Sequence, residues 1–281
     1  MEQSSQKAIK KPVCILVTGI GAEYFQMSQK MLSSLKKTNP DIESKADIVL
    51  YTQNDAIRNG FTLLPNDLKM RYMTPIFAKE LLQEYECVVR LDSDMIITGD
   101  ITSCWEGDFD VAVVQNANPR ELVAQQQLMN RVVQVWDVDP LDYVNCGFVV
   151  MKSEEFVDHW LSLCTPQRQQ YQFYEQDFLN ILVFYGNYKI KFLDRQPDNK
   201  WHGLISKGYW SQIEKRDGKL ILPKNSGDER DPWPIDFDKE IVCIHQAGGP
   251  GPKFTDLGIR FQPEVAKYLN ELWTYEPPQK A

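Results

Sequence analysis

Short apolar runs alternate along the chain with longer stretches whose apolar residues recur every three or four positions. The first run, Val13–Thr18 (VCILVT), is continuously apolar, as expected of a strand covered on both faces. A helix is predicted over Tyr24–Lys37, ending before Asn39–Pro40, where the proline opposes continuation. Asp47–Thr52 (DIVLYT) reads as a second strand. Pro75–Glu84 reads as a helix because Ile76, Phe77, Leu81 and Leu82 share helical spacing, and it leads into a third strand, Cys87–Leu91. Asp110–Val114, Val144–Met151 and Ile241–Ile244 are further strands, with helices expected over Tyr174–Phe184 and Glu264–Trp273. This alternation predicts an α/β fold with a central, mostly parallel sheet flanked by helices.

Between Asp194 and Pro234 the periodicity fades, and Trp, Gly, Lys and Asp dominate. The segment is expected to form loops and short strands beside the site, with Trp201 and Trp210 as flat faces for a sugar or as packing residues. Residues 1–11 are expected to be disordered, and 264–281 to form a C-terminal helix and tail. With 281 residues, 43% of them hydrophobic, the expectation is one domain spanning 1–281. The net charge of −8 and pI near 5.1 argue against a nucleic-acid partner, since phosphate recognition needs a basic surface. An acidic chain still binds a phosphorylated ligand where a metal or local Lys and Arg invert the field.

The six cysteines lie far apart without zinc spacing, and Cys14, Cys87, Cys146 and Cys243 sit in apolar runs. They read as buried reduced thiols, which implies a reducing compartment. No stretch is apolar for long enough to span a bilayer, and the opening MEQSSQKAIKK is polar. A cytoplasmic protein, or one at the inner face of a membrane, is the expectation.

The sharpest chemical signal is Val88-Val89-Arg90-Leu91-Asp92-Ser93-Asp94. Two carboxylates one residue apart emerge where a hydrophobic strand ends, the edge at which α/β sheets collect ligands. Such a pair can converge on one hard cation that bridges a diphosphate. An Asp-x-Asp alone more often marks a solvated turn, and Ile96 stands where an EF-hand needs its third oxygen ligand. The second signal is Ile244-His245 followed by a glycine-rich stretch ending at Lys253. A histidine at a strand end can add a nitrogen ligand, a set that suits Mn²⁺ better than Mg²⁺. Gly248 and its neighbours let backbone N–H groups approach phosphate oxygens, and Lys253 adds a charge.

Taken together, these segments resemble the GT-A glycosyltransferases, and among them the glycogenin-like and galactosyltransferase-like family eight. The likeness runs in order over residues 13–260. Thr18 and Tyr24 match residues around the nucleotide base, and Ser33-Ser34-Leu35-Lys36 continues that match. Leu91-Asp92-Ser93-Asp94 matches the metal motif, and Asn145-Cys146-Gly147-Phe148 a strand near the acceptor. Glu175-Gln176-Asp177-Phe178-Leu179-Asn180 is similar to the family's helix start, and His245 through Lys253 to its closing loop. Arg71 or Lys79 would replace a basic donor contact that the family carries upstream of its metal motif, and Arg90 stands in place of an aromatic residue.

The resemblance implies a single GT-A, Rossmann-like domain that moves a sugar from a nucleotide sugar, UDP-linked in the family's manner, to a hydroxyl acceptor. It implies a metal held by Asp92, Asp94 and His245, with Ser93 and Asn145 joining the donor-binding set. Retention of configuration follows from the family, with Gln176 near the sugar and Asp177 orienting hydroxyls. Inversion stays open if Asp177 or Glu175 reaches the acceptor as a base. Two other readings are a sugar-nucleotide nucleotidyltransferase and a non-catalytic sugar-nucleotide-binding module. The former usually carries a basic glycine-rich loop after the first strand, whereas GIGAEYF has no Lys or Arg.

Overall fold

Every apolar run noted in the sequence forms a strand in the computed structural model, which describes residues 10–58, 73–115, 131–139, 142–164, 173–194, 207–223, 238–246 and 254–274. Strand β1 (Lys11–Gly19) leads into α1 (Ala22–Thr38), α2 (Ile42–Lys45), β2 (Asp47–Thr52) and α3 (Gln53–Arg58). Helix α4 (Met73–Leu81), β3 (Tyr85–Leu91), β4 (Met95–Ile97), β5 (Val111–Gln115) and α5 (Arg131–Trp136) follow. Next come β6 (Val144–Met151), α6 (Glu154–Leu163), α7 (Glu175–Tyr185) and β7 (Ile190–Phe192). The chain continues through β8 (Glu214–Arg216), β9 (Lys219–Ile221), β10 (Glu240–Ile241), β11 (Cys243–His245), α8 (Leu257–Arg260) and α9 (Pro263–Trp273).

The main sheet has six strands in the order β2-β1-β3-β6-β5-β7. β1 pairs in parallel with β2 and β3, and β5 with β7, while β6 runs antiparallel to both β3 and β5. Alternation along β1 explains its unbroken apolar run. Val13, Ile15 and Val17 enter one core with Met27, Met31 and Leu35 of α1 and Leu269 of α9. Cys14 and Leu16 enter the other, with Phe77 of α4, Trp160 of α6 and Phe178 of α7. Both faces of the sheet are covered, so neither needs polar positions. β1 and β3 end side by side, and the turn from β3 into the start of β4 leaves that edge, where the site is built.

The predicted strand Ile241–Ile244 divides at Val242 because its two halves serve different sheets. β10 pairs with β9, and β11 pairs with β4, while the Val242 carbonyl accepts from Thr98 N–H (2.9 Å). β8 and β9 form a hairpin through Asp217 and Gly218, whose φ values of 50° and 80° match the mirror-image turn that two-residue hairpins favour. Among the described residues, no helix is long and apolar enough to cross a membrane. The six cysteines are all free thiols, and Cys14, Cys87, Cys104 and Cys243 are buried.

Of the two readings of Trp210, packing is the one the structure supports. Trp210 offers no face to a sugar: it is fully buried and stacks on Phe261 at 4.8 Å between ring centroids, with Phe254 beyond. Its ring belongs to the core beneath α8 and α9. Trp201 lies outside the described residues.

Candidate active site

Strand β3 delivers Asp92 to the sheet edge, where its N–H donates to the Gly147 carbonyl of β6 (2.8 Å). Three residues on, β4 begins and runs alongside β11. The antiparallel register sets His245 opposite Met95, and Gln246 N–H donates to the Asp94 carbonyl (3.0 Å). Residues 151 positions apart thereby meet. His245 Nε2 lies 3.0 Å from Asp94 Oδ1 and 3.6 Å from Asp92 Oδ2, and one ligand atom from each residue falls within 4.8 Å of the others. The imidazole is buried, whereas both carboxylates are partly exposed, so the cluster opens toward solvent on its acidic side.

This donor set of two oxygens and one nitrogen fits a divalent cation such as Mn²⁺. The surrounding backbone fits as well. A Cβ at position 147 would collide with Asp92 Oδ2 and approach His245 Cε1 to 2.6 Å, so glycine leaves the space these two ligands occupy. Among the described residues His245 Nδ1, which is buried, has no hydrogen-bond partner, while Nε2 faces the two carboxylates. Ser93 is buried in the turn between the two aspartates.

Thr18 is buried near the end of β1, and Tyr24, half-exposed, opens the first turn of α1. The Tyr24 phenol is pushed up by partial burial and by the negative charges of Asp94, Glu23 and Asp92, which puts it on the carboxylates' side of the edge. Asn145 Oδ1 accepts from Gly147 N–H (2.7 Å) and shapes the bend of β6 below Asp92. Gln176, at the start of α7, accepts from Cys146 N–H through Oε1 (3.1 Å) and so lies against the same strand.

With this geometry in place, the comparisons with known proteins decide the family. Residues 3–220 match the family model described as glycosyl transferase family 8. The chain belongs to glycosyl transferase family 8. A search of the curated proteins returns no significant match. Among solved structures, galactosyltransferase LgtC in complex with donor and acceptor sugar analogs is similar at 15% identity and a TM-score of 0.56, over 94% of this chain and 98% of that one. An active-site mutant of LgtC gives the same TM-score at 13% identity, again over 94% of this chain and 98% of that one. The bifunctional glycosyltransferase WbbM gives 0.50 at 15% identity, over 99% of this chain and 51% of that one. At such identities the likeness speaks for the GT-A fold, and the family match makes the protein a glycosyltransferase.

Two residues carried over from the family-8 resemblance sit elsewhere in this family 8 enzyme. Asp177 is fully buried, with Oδ1 accepting from the Tyr143 hydroxyl (2.6 Å) and Oδ2 from Phe173 N–H (2.7 Å). It ties the start of α7 to the chain around it, with both oxygens engaged by these two donors. Burial, partly opposed by those two hydrogen bonds, pushes its carboxyl up to about 6. Lys79 is turned to Asp158 of α6 in an exposed ion pair. Arg71, Gly248 and Lys253 lie outside the described residues.

Conversely, sequence reasoning passed over Arg90, Thr74 and Gly147 as site residues. Arg90 is buried and donates through Nη2 to Asp92 Oδ1 (2.5 Å). Its signal was present: a lone charge inside the apolar run CVVRL implies a buried partner. Thr74 donates to both oxygens of Glu175, by hydroxyl to Oε1 (2.7 Å) and by N–H to Oε2 (3.0 Å). Burial pushes the Glu175 carboxyl up to about 7, against the opposing pull of Arg90 and the Thr74 bonds.

That shift has a consequence for stability. The folded value lies above the ordinary 4.5, so the stabilisation is complete below 4.5 and is lost as pH rises through about 7. In metal-free buffer, Glu175→Gln is expected to flatten the fall in melting temperature between pH 4.5 and 7. An unchanged pH profile of Tm would show that Glu175 does not titrate in that window.

Proposed function

We propose that the enzyme transfers a sugar from a UDP-sugar to an acceptor hydroxyl, with Mn²⁺ or a similar divalent cation at Asp92, Asp94 and His245. The observation that carries this reading is the meeting of those three side chains at the carboxyl edge of the sheet. A cation bound there would neutralise charge developing on the departing diphosphate, which lowers the barrier as well as aiding binding. Asp92, Asp94 and His245 present its ligand atoms from elements fixed by β-pairing. Thr18 and Tyr24 flank the same edge and suit the nucleotide. The donor and acceptor sugar analogs bound by LgtC are consistent with two sugar-containing substrates here.

Retention is the stereochemical reading the site favours. An inverting transferase needs a carboxylate free to take the acceptor's proton. Asp177 has both oxygens engaged in the core, and both oxygens of Glu175 accept hydrogen bonds from Thr74. Gln176 accepts from Cys146 N–H of β6, the neighbour of β3, and this supports a role beside the sugar. It would orient the sugar, and it cannot act as a base.

The nucleotide is tested by thermal shift. UDP with Mn²⁺ is expected to raise Tm by more than UDP alone, and by more than GDP or ADP with the same metal, since a ligand of the native state adds its binding free energy to stability. Stabilisation by GDP above UDP would overturn the uridine assignment. Stabilisation by UDP that is indifferent to Mn²⁺ would overturn the cation.

A further inference from the structure

The Arg90 guanidinium lies on the face of β3 covered by α4 and α7, with 3% of the residue exposed. It reaches in two directions at once. Nη2 donates to Asp92 Oδ1 at 2.5 Å, and Nε donates to Thr74 Oγ1 at 3.2 Å. Thr74 is itself fixed by its two bonds to Glu175. The Asp92 oxygen left over, Oδ2, is the one that faces His245 Nε2 at 3.6 Å. A continuous polar connection therefore runs from α7 through α4 to the aspartate, and it sorts that aspartate's two oxygens.

We infer that Arg90, held by Thr74, is the positioning residue of the cation site: it occupies Oδ1 of Asp92 so that Oδ2 alone is presented beside His245 and Asp94. The inference rests on the cation reading above and adds to it a device for orientation. A carboxylate free to rotate offers either oxygen or both to a metal, and freezing that choice costs affinity on each binding event. An Arg fork freezes it in advance, because a planar guanidinium can hold two partners at a set angle, which a lysine ammonium cannot do. The arrangement is poorly suited to a purely structural role. Nη1 is buried with no hydrogen-bond partner among the described residues, and an unmet buried donor destabilises the fold. An apolar residue in the strand would avoid that cost.

The test separates geometry from charge. Mn²⁺ affinity is measured directly by isothermal titration, without nucleotide, on the wild type, Arg90→Lys, Thr74→Val and Thr74→Ser, each checked for folding by circular dichroism. Arg90→Lys keeps the charge and loses the fork, while Thr74→Val changes no charge and removes the hydroxyl that steadies Nε. Both are expected to weaken Mn²⁺ binding by about 10-fold or more, the scale of lost support behind a metal ligand. Thr74→Ser keeps the hydroxyl and is expected to restore near wild-type affinity. If Arg90→Lys does not fold, Thr74→Val against Thr74→Ser decides. Folded variants that bind Mn²⁺ as the wild type does would overturn the inference while leaving the cation site standing. A wild type that binds no Mn²⁺ would overturn the cation reading and this inference with it.

Discussion

Asp94→Ala is expected to leave a folded protein whose glycosyl transfer is slowed by on the order of 10²–10³-fold, the scale of losing one group that stabilises developing charge. The side chain is partly exposed and faces His245 Nε2 at 3.0 Å, so its loss opens no cavity in either core. The contribution of this residue to the fold runs through its backbone, whose carbonyl accepts from Gln246 N–H, and alanine keeps that bond. Far-ultraviolet circular dichroism and Tm should therefore stay near the wild type while the initial rate collapses. Raising the Mn²⁺ concentration should recover part of the rate, because Asp92 and His245 remain. A folded Asp94→Ala variant with full activity in chelator would contradict the assignment.

Gly147→Ala is expected to produce a loss of comparable kind from a single added methyl group. The new Cβ would fall on Asp92 Oδ2 and 2.6 Å from His245 Cε1, and 2.8 Å from Asn145 Oδ1. Three neighbours cannot all step aside: the Asp92 and Gly147 backbones are hydrogen-bonded to each other, and His245 is fixed by its pairing with Met95. The two ligands must move apart. A weakening of Mn²⁺ by about 10–100-fold is the expected result, read as a rise in the half-saturating metal concentration at fixed donor. An unchanged metal dependence would mean that Asp92 and His245 do not share a cation.

The sheet was legible because its strands bury both faces. Asp47–Thr52 and Val144–Met151 appear with the bounds their apolar runs suggest. Helix α4 begins two residues before Pro75, since a proline is tolerated in the first turn, where its missing N–H has no intrahelical partner. The chemistry of Asp92, Asp94 and His245 as a ligand set was legible in the sequence, but the pairing that brings them together was not. Nothing local in the sequence reveals that β11 pairs with β4, and that pairing alone brings residue 245 to residue 94. Arg90 stayed hidden as a site residue for a related reason. Its partner Thr74 sits on a helix, and the two touch because α4 lies over the face of β3 that Arg90 occupies.

Asp177 shows the opposite failure. An acidic residue beside Gln176 at a helix start reads as a polar, reactive position, yet one residue's advance along the helix directs it inward to Tyr143. Helical residues one apart point about 100° away from each other, so neighbours in the motif serve different surroundings. Trp210 was equally ambiguous, because an aromatic ring suits a sugar face and a core alike. Its stacking on Phe261, fifty-one positions away, is a property of the tertiary fold.

A UDP-sugar is proposed to be consumed at a cation site built from Asp92, Asp94 and His245. The most direct test is the release of UDP from a panel of UDP-sugars, followed before and after removal of metal by chelator and again after Mn²⁺ is restored. Release is expected with at least one donor, with its loss on chelation and its recovery with Mn²⁺ in the wild type but not to the wild-type rate in Asp94→Ala. Release that continues undiminished in chelator, or that is equal in the wild type and Asp94→Ala, would contradict that proposal.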